Sequence, residues 1–171
     1  FSAMGWDTVT PIPTYVKVTN GYEDASASGA EYPLQVMNPH YLRRAHSVFD
    51  NIGWLREAWT NPVFISTADA DAAGVSDGDT VLVSSPYGQC VRNACVYAGL
   101  MPGVVALPHG AWVAVDEETG IDVAGADNCL TGPAPNGQGV SGYNSALCKI
   151  EKYTGEALAP DAEQPLRIVC K

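Results

Sequence analysis

The sequence is poor in positive charge. Nine Lys and Arg residues stand against nineteen Asp and Glu residues, which gives a formal net charge of −10. Nucleic acids and anionic membrane surfaces are bound by basic faces, so this balance argues against nucleic acid and against direct membrane contact. No apolar run approaches the length of a transmembrane span. The chain also lacks the charged and then apolar beginning of a signal peptide.

The cysteines offer no cluster-binding spacing. There are five of them, an odd number, and no two form a CxxC pair or an iron–sulfur pattern. Their flanks are apolar, which favours buried free thiols over one or two disulfides. The five are Cys90, Cys95, Cys129, Cys148 and Cys170.

Turn-forming residues are abundant, with 17 glycines and 12 prolines, while only 16% of the residues are charged. We therefore expect a mainly β fold without long amphipathic helices. A length of 171 residues with 46% hydrophobic content suffices for one domain with a sizeable core. Short strands separated by one-turn helices predict a small barrel rather than a doubly wound sheet.

The chain divides into three parts. Residues 1–31 show little periodicity and predict an extended linker from upstream domains. The domain proper is predicted over residues 32–153, and residues 154–171 are expected to form a tail or an added edge strand. The first residue is Phe1 rather than Met, so we expect this sequence to be a piece of something longer.

A polar loop over residues 38–51 is the first candidate for a ligand site. The apolar strand beginning at Leu34 is stopped by Asn38-Pro39, which places histidine, arginine, serine and asparagine side chains on one short connection. Arg43 and Arg44 offer planar forks for phosphate oxygens, and the other polar groups can pair with phosphate or ring edges. The loop therefore suits a long, phosphorylated ligand.

Two other interpretations of the loop stay open. Adjacent arginines are commonly a solvated surface pair. A metal site at His40 and His46 is disfavoured, because no carboxylate or cysteine follows at a ligand spacing.

A short helix is predicted after the loop, because Ile52, Leu55 and Trp59 recur at helical spacing. Asp50 or Asn51 could cap its start, where free backbone N–H groups would add to an anion cradle. We expect the tryptophans of this helix, Trp54 and Trp59, to belong to the core rather than to stack on a ligand.

Two further local structures are predicted downstream. A short helix at residues 67–74 should be capped by Ser66 or Thr67 and end at Gly74. The turn Pro86-Tyr87-Gly88 should close a hairpin.

Several separated motifs occur in the order found in one family. They are Asn38-Pro39-His40 with the rest of residues 34–47, the strand, helix and hairpin of residues 62–83, the Met101-Pro102-Gly103 segment through Trp112, Asp127-Asn128-Cys129-Leu130-Thr131, and residues 143–150. Together they resemble the C-terminal domain of the dimethyl sulfoxide reductase family of molybdenum enzymes, in the branch of dimethyl sulfoxide reductase catalytic subunits and related anaerobic dehydrogenases. The resemblance covers about residues 32–153.

This resemblance implies a fold and a cofactor. The fold is a double-psi β-barrel (aspartate-decarboxylase-like) with a few short helices. The cofactor is a molybdenum ion held by two molybdopterin guanine dinucleotides. The residues implied in cofactor binding are Asn38, Pro39, His40, Arg43, Arg44, His46, Ser47, Asn51, His109, Asn128, Tyr143 and Asn144.

The resemblance also implies a place in a larger enzyme. The molybdenum ligand and any iron–sulfur cluster are expected in upstream domains, so this part alone should hold no metal and catalyse nothing. The expected partners are those domains and an electron-transfer subunit. Relatives of this kind occur on either side of a bacterial cytoplasmic membrane.

Two alternatives to that interpretation remain. One is a free-standing subunit of a multi-subunit molybdenum or tungsten enzyme. The other is an unrelated double-psi barrel with hydrolase or lyase chemistry around His40, His46 and Ser47, although a Ser beside a His in sequence is weak evidence for a nucleophile.

Overall fold

The structure is a computed structural model that describes residues 2–5, 10–133 and 145–155. Six strands and three α-helices account for its regular elements, together with 3₁₀ turns at Ser2–Met4 and Asp127–Leu130. In chain order the α-helices and strands are α1 (Tyr22–Ala25), β1 (Leu34–Met37), α2 (Gly53–Ala58), β2 (Pro62–Ile65), α3 (Thr67–Ala73), β3 (Thr80–Ser84), β4 (Gln89–Val96), β5 (Val104–Ala106) and β6 (Leu147–Lys152).

The six strands close into a barrel in the order β1-β5-β2-β4-β3-β6. If each strand is replaced by the strand three places later in chain order, so that β1 becomes β4 and β5 becomes β2, the same pairings result. The parallel pair of β1 with β5 corresponds to the parallel pair of β4 with β2, and the antiparallel pair of β1 with β6 corresponds to that of β4 with β3. A closed six-stranded ring with this internal two-fold relation is a double-psi β-barrel, which confirms the predicted fold class.

The barrel interior is filled by small and branched apolar side chains. In β3, Val81 and Val83 are fully buried while Leu82 between them is half-buried, as the two-residue repeat of a strand requires. The core cluster adds Val63, Ile65 and further residues from all six strands. This interior therefore supports the loops rather than offering a ligand channel.

Short helices and turns join the strands largely as the sequence predicts. The hydroxyl of Ser66 caps α3 by accepting from the backbone N–H of Asp69, and Gly74 ends that helix. The β3–β4 hairpin forms around residues 85–88. Cys90 and Cys148 are buried, Cys95 and Cys129 half-buried, and all four are free thiols.

Two predictions for α2 are wrong. The helix begins after Ile52 and has no side-chain cap, because the Asp50 carboxylate binds buried arginines instead. Trp54 is 52% exposed rather than part of the core, and Trp59 is half-buried. The apolar face of a helix this short is too small to bury both indoles.

The predicted linker over residues 1–31 stays a prediction, although α1 within it packs its buried Ala25 near β1. Cys170 lies outside the described residues, as does most of the predicted tail. No helix in the described part of the chain is long and apolar enough to cross a membrane.

Strand direction decides which loops meet. Strands β1, β3 and β5 run in one direction, and β2, β4 and β6 run in the opposite direction. The last residues of β1, β3 and β5 therefore lie at the same end of the barrel as the first residues of β2, β4 and β6. We call this end the upper rim and define it by residues 38–61, 85–88, 107–133 and 145–146. It contains the polar loop, His109 and Asn128.

Candidate functional site

Two long loops, residues 38–61 and 107–133, are joined by carboxylate and amide hydrogen bonds at the upper rim. One carboxylate oxygen of Asp127 accepts from the side-chain amide of Asn38 at 3.0 Å, and the other accepts from the backbone N–H of Gly110 at 3.0 Å. The backbone N–H of His109 also donates to the carbonyl of Pro39 at 3.2 Å. The first residues after β1 and β5 therefore form one rigid unit.

Beneath this unit, Asp50 is the shared partner of three buried arginines. One of its oxygens lies 3.0 Å from Nε of Arg43 and 2.8 Å from Nη1 of Arg44, and the other lies 3.6 Å from Nη2 of Arg56. The side chains of Asp50, Arg43 and Arg44 are at most 2% exposed. Such a group is stable only while every charge keeps its partners, because desolvated ions are costly to leave uncompensated.

Arg44 has no nitrogen left over for a ligand. Its Nε donates to the carbonyl of His109 at 2.8 Å, and Nη2 donates to the carbonyl of Pro108 at 3.0 Å and to the amide oxygen of Asn61 at 2.7 Å. Nη1 is taken by Asp50. The expectation that Arg44 contacts phosphate is therefore corrected: this guanidinium holds the second rim loop in place.

Arg43 requires the same correction. It is 2% exposed and donates to Asp50 and, at 3.4 Å, to the carbonyl of Trp59. The burial of both arginines also excludes the alternative of a solvated surface pair.

The ionisation of Asp50 couples this cluster to pH. Burial raises the pKa of Asp50, but the backbone N–H of Trp112 and the charges of Arg44, Arg43 and Arg56 outweigh it and hold the pKa below its ordinary value of 3.8. A carboxylate whose pKa is lowered by folding stabilises the fold above the ordinary pKa, and this contribution disappears as the pH falls through the lowered value.

We therefore expect the stability difference between the natural chain and an Asp50→Asn variant to be constant near neutral pH and to shrink on acidification. Urea unfolding of both proteins between about pH 5 and about pH 2 measures the difference directly. Taking the difference between the two proteins cancels the contribution of the other carboxylates that titrate in the same pH range. A difference that stays constant to the lowest pH contradicts the assignment.

A fourth buried arginine supports the loops from the barrel side. Arg92 on β4 is 1% exposed and donates to the carbonyls of Gly125 at 2.8 Å, Pro62 at 3.0 Å and Pro108 at 2.9 Å. Burial lowers the pKa of Arg92 to about 10, so it remains a cation at neutral pH. The carbonyl of Pro108 thus accepts from two buried guanidiniums, those of Arg44 and Arg92.

The buried ionised groups close to the rim carry a small net positive charge, although the rim as a whole is acidic. Among the described residues, the buried cations are four arginines, and the buried anions are Asp50, Asp122 and Asp127. They leave one net positive charge beneath the rim of a chain whose formal charge is −10. An anionic ligand would be favoured where it comes close to the buried arginines.

Three histidines gather above the arginines. The ring of His109 lies 4.5 Å from that of His40 and 5.0 Å from that of His46, measured between centroids. Nε2 of His109 is 3.0 Å from Nδ1 of His46. His40 and His46 are exposed, and His109 is half-buried.

The two loops approach each other closely at Gly110. Its φ is +88°, and a Cβ added there would lie 1.9 Å from the carbonyl oxygen of His46. Trp112 secures the same contact, since its indole N–H donates to the carbonyl of Ser47 at 2.9 Å. The backbone of residues 46–47 is thereby clamped against residues 110–112.

Other predicted site residues present free polar groups. Ser47, Asn51 and Asn128 are exposed, and their side chains make no hydrogen bond within the part of the chain that the structure describes. Ser47 therefore has no imidazole partner among the described residues, which argues against a nucleophile and base pair there. Tyr143 and Asn144 lie outside the described residues.

The sequence did not single out the residues that build the support. From the sequence, Asp50 is predicted as a helix cap, and Arg92, Asn61 and Asp127 are not predicted as site residues. Arg92 carries a detectable signal, because this charged residue alternates with the apolar Cys90 and Ala94 along the strand. A burial pattern of period two places it inside, where only carbonyls or carboxylates can satisfy it.

Comparison with known proteins gives this site a family. The profile of the "Molydopterin dinucleotide binding domain" family matches residues 34–146. Among curated relatives, the dimethyl sulfoxide reductase DmsA of Escherichia coli is 34% identical over 148 residues, and the dimethyl sulfoxide/trimethylamine N-oxide reductase of Rhodobacter capsulatus is 32% identical over 165 residues. These alignments cover 85% and 91% of this chain but only 18% and 19% of the relatives.

A solved structure agrees on the fold. The acetylene hydratase from Pelobacter acetylenicus superposes with a TM-score of 0.71 at 21% identity, over 90% of this chain and 22% of that one. The chain thus spans about one fifth of the length of these relatives. The family predicted from the motif order is confirmed over the barrel and its upper rim, and the chain belongs to the molybdopterin dinucleotide-binding domain family.

Proposed function

We propose that this chain holds the bis(molybdopterin guanine dinucleotide) form of the molybdenum cofactor at its upper rim, as a domain of a larger oxidoreductase. The observation that carries the proposal is the convergence of residues 38–51, His109 and Asn128 on one end of the barrel, above a buried net positive charge. A pterin dinucleotide is long, anionic and edged with hydrogen-bonding groups, so it needs several donors on one rigid support.

The residues present fit such a group. Ser47, Asn51 and Asn128 offer exposed hydroxyl and amide groups that have no partner within the described residues. An amide can both donate to and accept from a ring edge. A cavity of about 540 Å³ adjoins the rim, lined by Asn38 and Ser145 and by the N-terminal segment around Tyr22. Its size lies in the range of ordinary ligand pockets.

Each part of the rim has a distinct task in this proposal. His40, His46 and Ser47 contact the ligand from the first loop, and His109 and Asn128 contact it from the second. Pro39 fixes the turn that starts the first loop, and Tyr143 and Asn144 are proposed as contacts from the segment before β6. The arginines do not contact the ligand in this proposal; they hold backbone carbonyls and supply positive potential. When bound, the molybdenum centre supplies the redox change.

The larger enzyme is proposed to transfer an oxygen atom or electrons in the manner of dimethyl sulfoxide and trimethylamine N-oxide reductases. The names of the curated relatives support this. Upstream domains would supply the metal ligand and any iron–sulfur cluster, and an electron-transfer subunit would complete the path.

The test is to purify the full protein that carries this chain and measure its molybdenum and releasable guanine nucleotide. We expect two guanine nucleotides for each molybdenum, and reduction of sulfoxides or N-oxides by a reduced dye. Protein that is correctly folded and made in cells with active cofactor synthesis, yet contains neither molybdenum nor guanine nucleotide, would overturn the proposal.

Asn128→Ala tests one contact. Because the amide is exposed and makes no internal hydrogen bond, we expect its loss to lower cofactor occupancy at least about fivefold, at a stability change within about 0.5 kcal/mol. Asn93→Ala is the control, because this asparagine is exposed, lies within β4 rather than in a rim loop, and donates only at 3.4 Å to the hydroxyl of Thr80. Equal losses of occupancy and melting temperature in the Asn128 variant would make this residue a structural turn instead.

A further inference from the structure

The chain has only three histidines, and all three meet at one point of the upper rim. Each can offer one ring nitrogen such that the three atoms lie within 4.8 Å of one another. His46 and His109 are 63 residues apart in sequence. Tertiary folding therefore concentrates all of the chain's imidazole groups in one place.

The orientation of His109 is fixed by its backbone neighbour. Its Nδ1 lies 3.3 Å from the carbonyl oxygen of Asn38, which can only accept, so Nδ1 carries the hydrogen. Nε2 is then left with its lone pair pointing toward Nδ1 of His46 at 3.0 Å. A backbone carbonyl that fixes the far nitrogen of an imidazole is the usual second partner of a metal-binding histidine.

The distances suit a small transition-metal ion. Zn–N bonds of about 2.0–2.1 Å at tetrahedral angles place ligand nitrogens about 3.3 Å apart. The pair formed by His46 and His109 is already near this separation. His40 and His46 have exposed side chains, so rotation about their side-chain bonds can close the remaining distance.

We propose that His40, His46 and His109 form a divalent transition-metal site in the cofactor-free chain, with Zn²⁺ and Co²⁺ as the ions of matching chemistry. Three neutral nitrogen ligands select borderline ions such as these over Mg²⁺ or Ca²⁺, which prefer oxygen. The fourth position faces solvent and takes water or an anion, and the positive charge of Arg44 and its neighbours beneath the rim favours an anion there.

The metal site does not depend on the proposed function. One consequence of the site does rest on that function. The same imidazoles are proposed to contact the pterin dinucleotide, so metal and cofactor should exclude each other. An occupied metal site would then mark protein that has not yet received its cofactor.

The experiment uses the full protein made in cells that cannot synthesise molybdopterin and stripped with a chelator. It is titrated with Co²⁺ at mildly alkaline pH, because metal ions bind unprotonated imidazole. We expect a visible d–d absorption typical of tetrahedral nitrogen coordination. Zn²⁺ should displace the Co²⁺ and abolish the band.

Variants assign the ligands. His40→Ala and His109→Gln should each weaken Co²⁺ binding at least about tenfold, because even the loss of a group that only hydrogen-bonds to a metal ligand weakens metal binding by about that factor. Leu42→Ala, in the same loop and 74% exposed, is the matched control and should bind as the natural chain does. Circular dichroism checks that each variant is folded, and His40→Ala should pass this check because the ring is exposed and makes no hydrogen bond among the described residues.

Co²⁺ binding by the natural chain that is no tighter than binding by the folded His40→Ala variant would overturn the site. This failure is distinct from failure of the proposed function, because the titration contains no cofactor. Conversely, the Asn128→Ala test contains no added metal.

Discussion

Replacing Asp50 by Asn is expected to lower the free energy of unfolding by about 3–5 kcal/mol, the cost of removing one partner from a buried ion-pair network. Asn keeps the shape of the side chain but not its charge. Arg43, Arg44 and Arg56 would lose their shared carboxylate, and the backbone N–H of Trp112 would lose its charged acceptor at 3.0 Å. Four interactions thus depend on one carboxylate.

The loss should reach the ligand-binding end of the barrel as well. Arg44 is oriented by Asp50 and in turn holds the carbonyls of Pro108 and His109. A displaced Arg44 would free that segment, so cofactor occupancy should fall even at temperatures where the variant is folded. A fall in cofactor occupancy while the variant stays folded is the result expected if the arginine cluster positions the second rim loop.

Chemical denaturation of Asp50→Asn measures the effect, with Asp71→Asn as the matched control. Asp71 is exposed on α3, so its substitution should change stability by no more than about 0.5 kcal/mol. Equal stability of the two variants would show that the buried cluster contributes nothing to the free energy of unfolding.

The second large effect is expected for Gly110→Ala. A methyl group at this position would lie 1.9 Å from the carbonyl oxygen of His46 and 2.9 Å from the backbone nitrogen of Ser47. Both are backbone atoms, so no side-chain rotation relieves the contact. The two rim loops must separate, which should cost about 1–3 kcal/mol beyond the backbone conformation itself.

Gly103→Ala isolates that steric cost. Its φ of +82° matches the +88° of Gly110, but nothing lies within 4 Å of an added Cβ. We expect the control to lose about 1–2 kcal/mol from the left-handed conformation alone. Gly110→Ala should lose more, and it should also weaken both cofactor retention and Co²⁺ binding. Equal stability of the two variants would show that the close approach is relieved without cost.

Local patterns in the sequence predicted much of the architecture. Apolar runs with period-two burial, such as residues 80–84, and turn residues such as Pro86-Tyr87-Gly88 specify strands and hairpins through short-range geometry. Ser66 and Gly74 delimit α3 for the same reason, since a cap needs only neighbours within a few residues. The order of motifs then indicated the family, and with it the barrel.

The sequence by itself also determined that residues 40–51 form a loop at one end of a strand, because Asn38-Pro39 must end that strand. It could not decide what Arg43, Arg44 and Asp50 do, since an arginine has the same local signature on a surface as in a buried ion pair. Nor could it bring His109 to His40 and His46. Those outcomes depend on barrel closure, which sets β5 beside β1 and so joins loops about seventy residues apart in the chain. Contacts between residues so distant in sequence produce no periodic pattern from which they could be predicted.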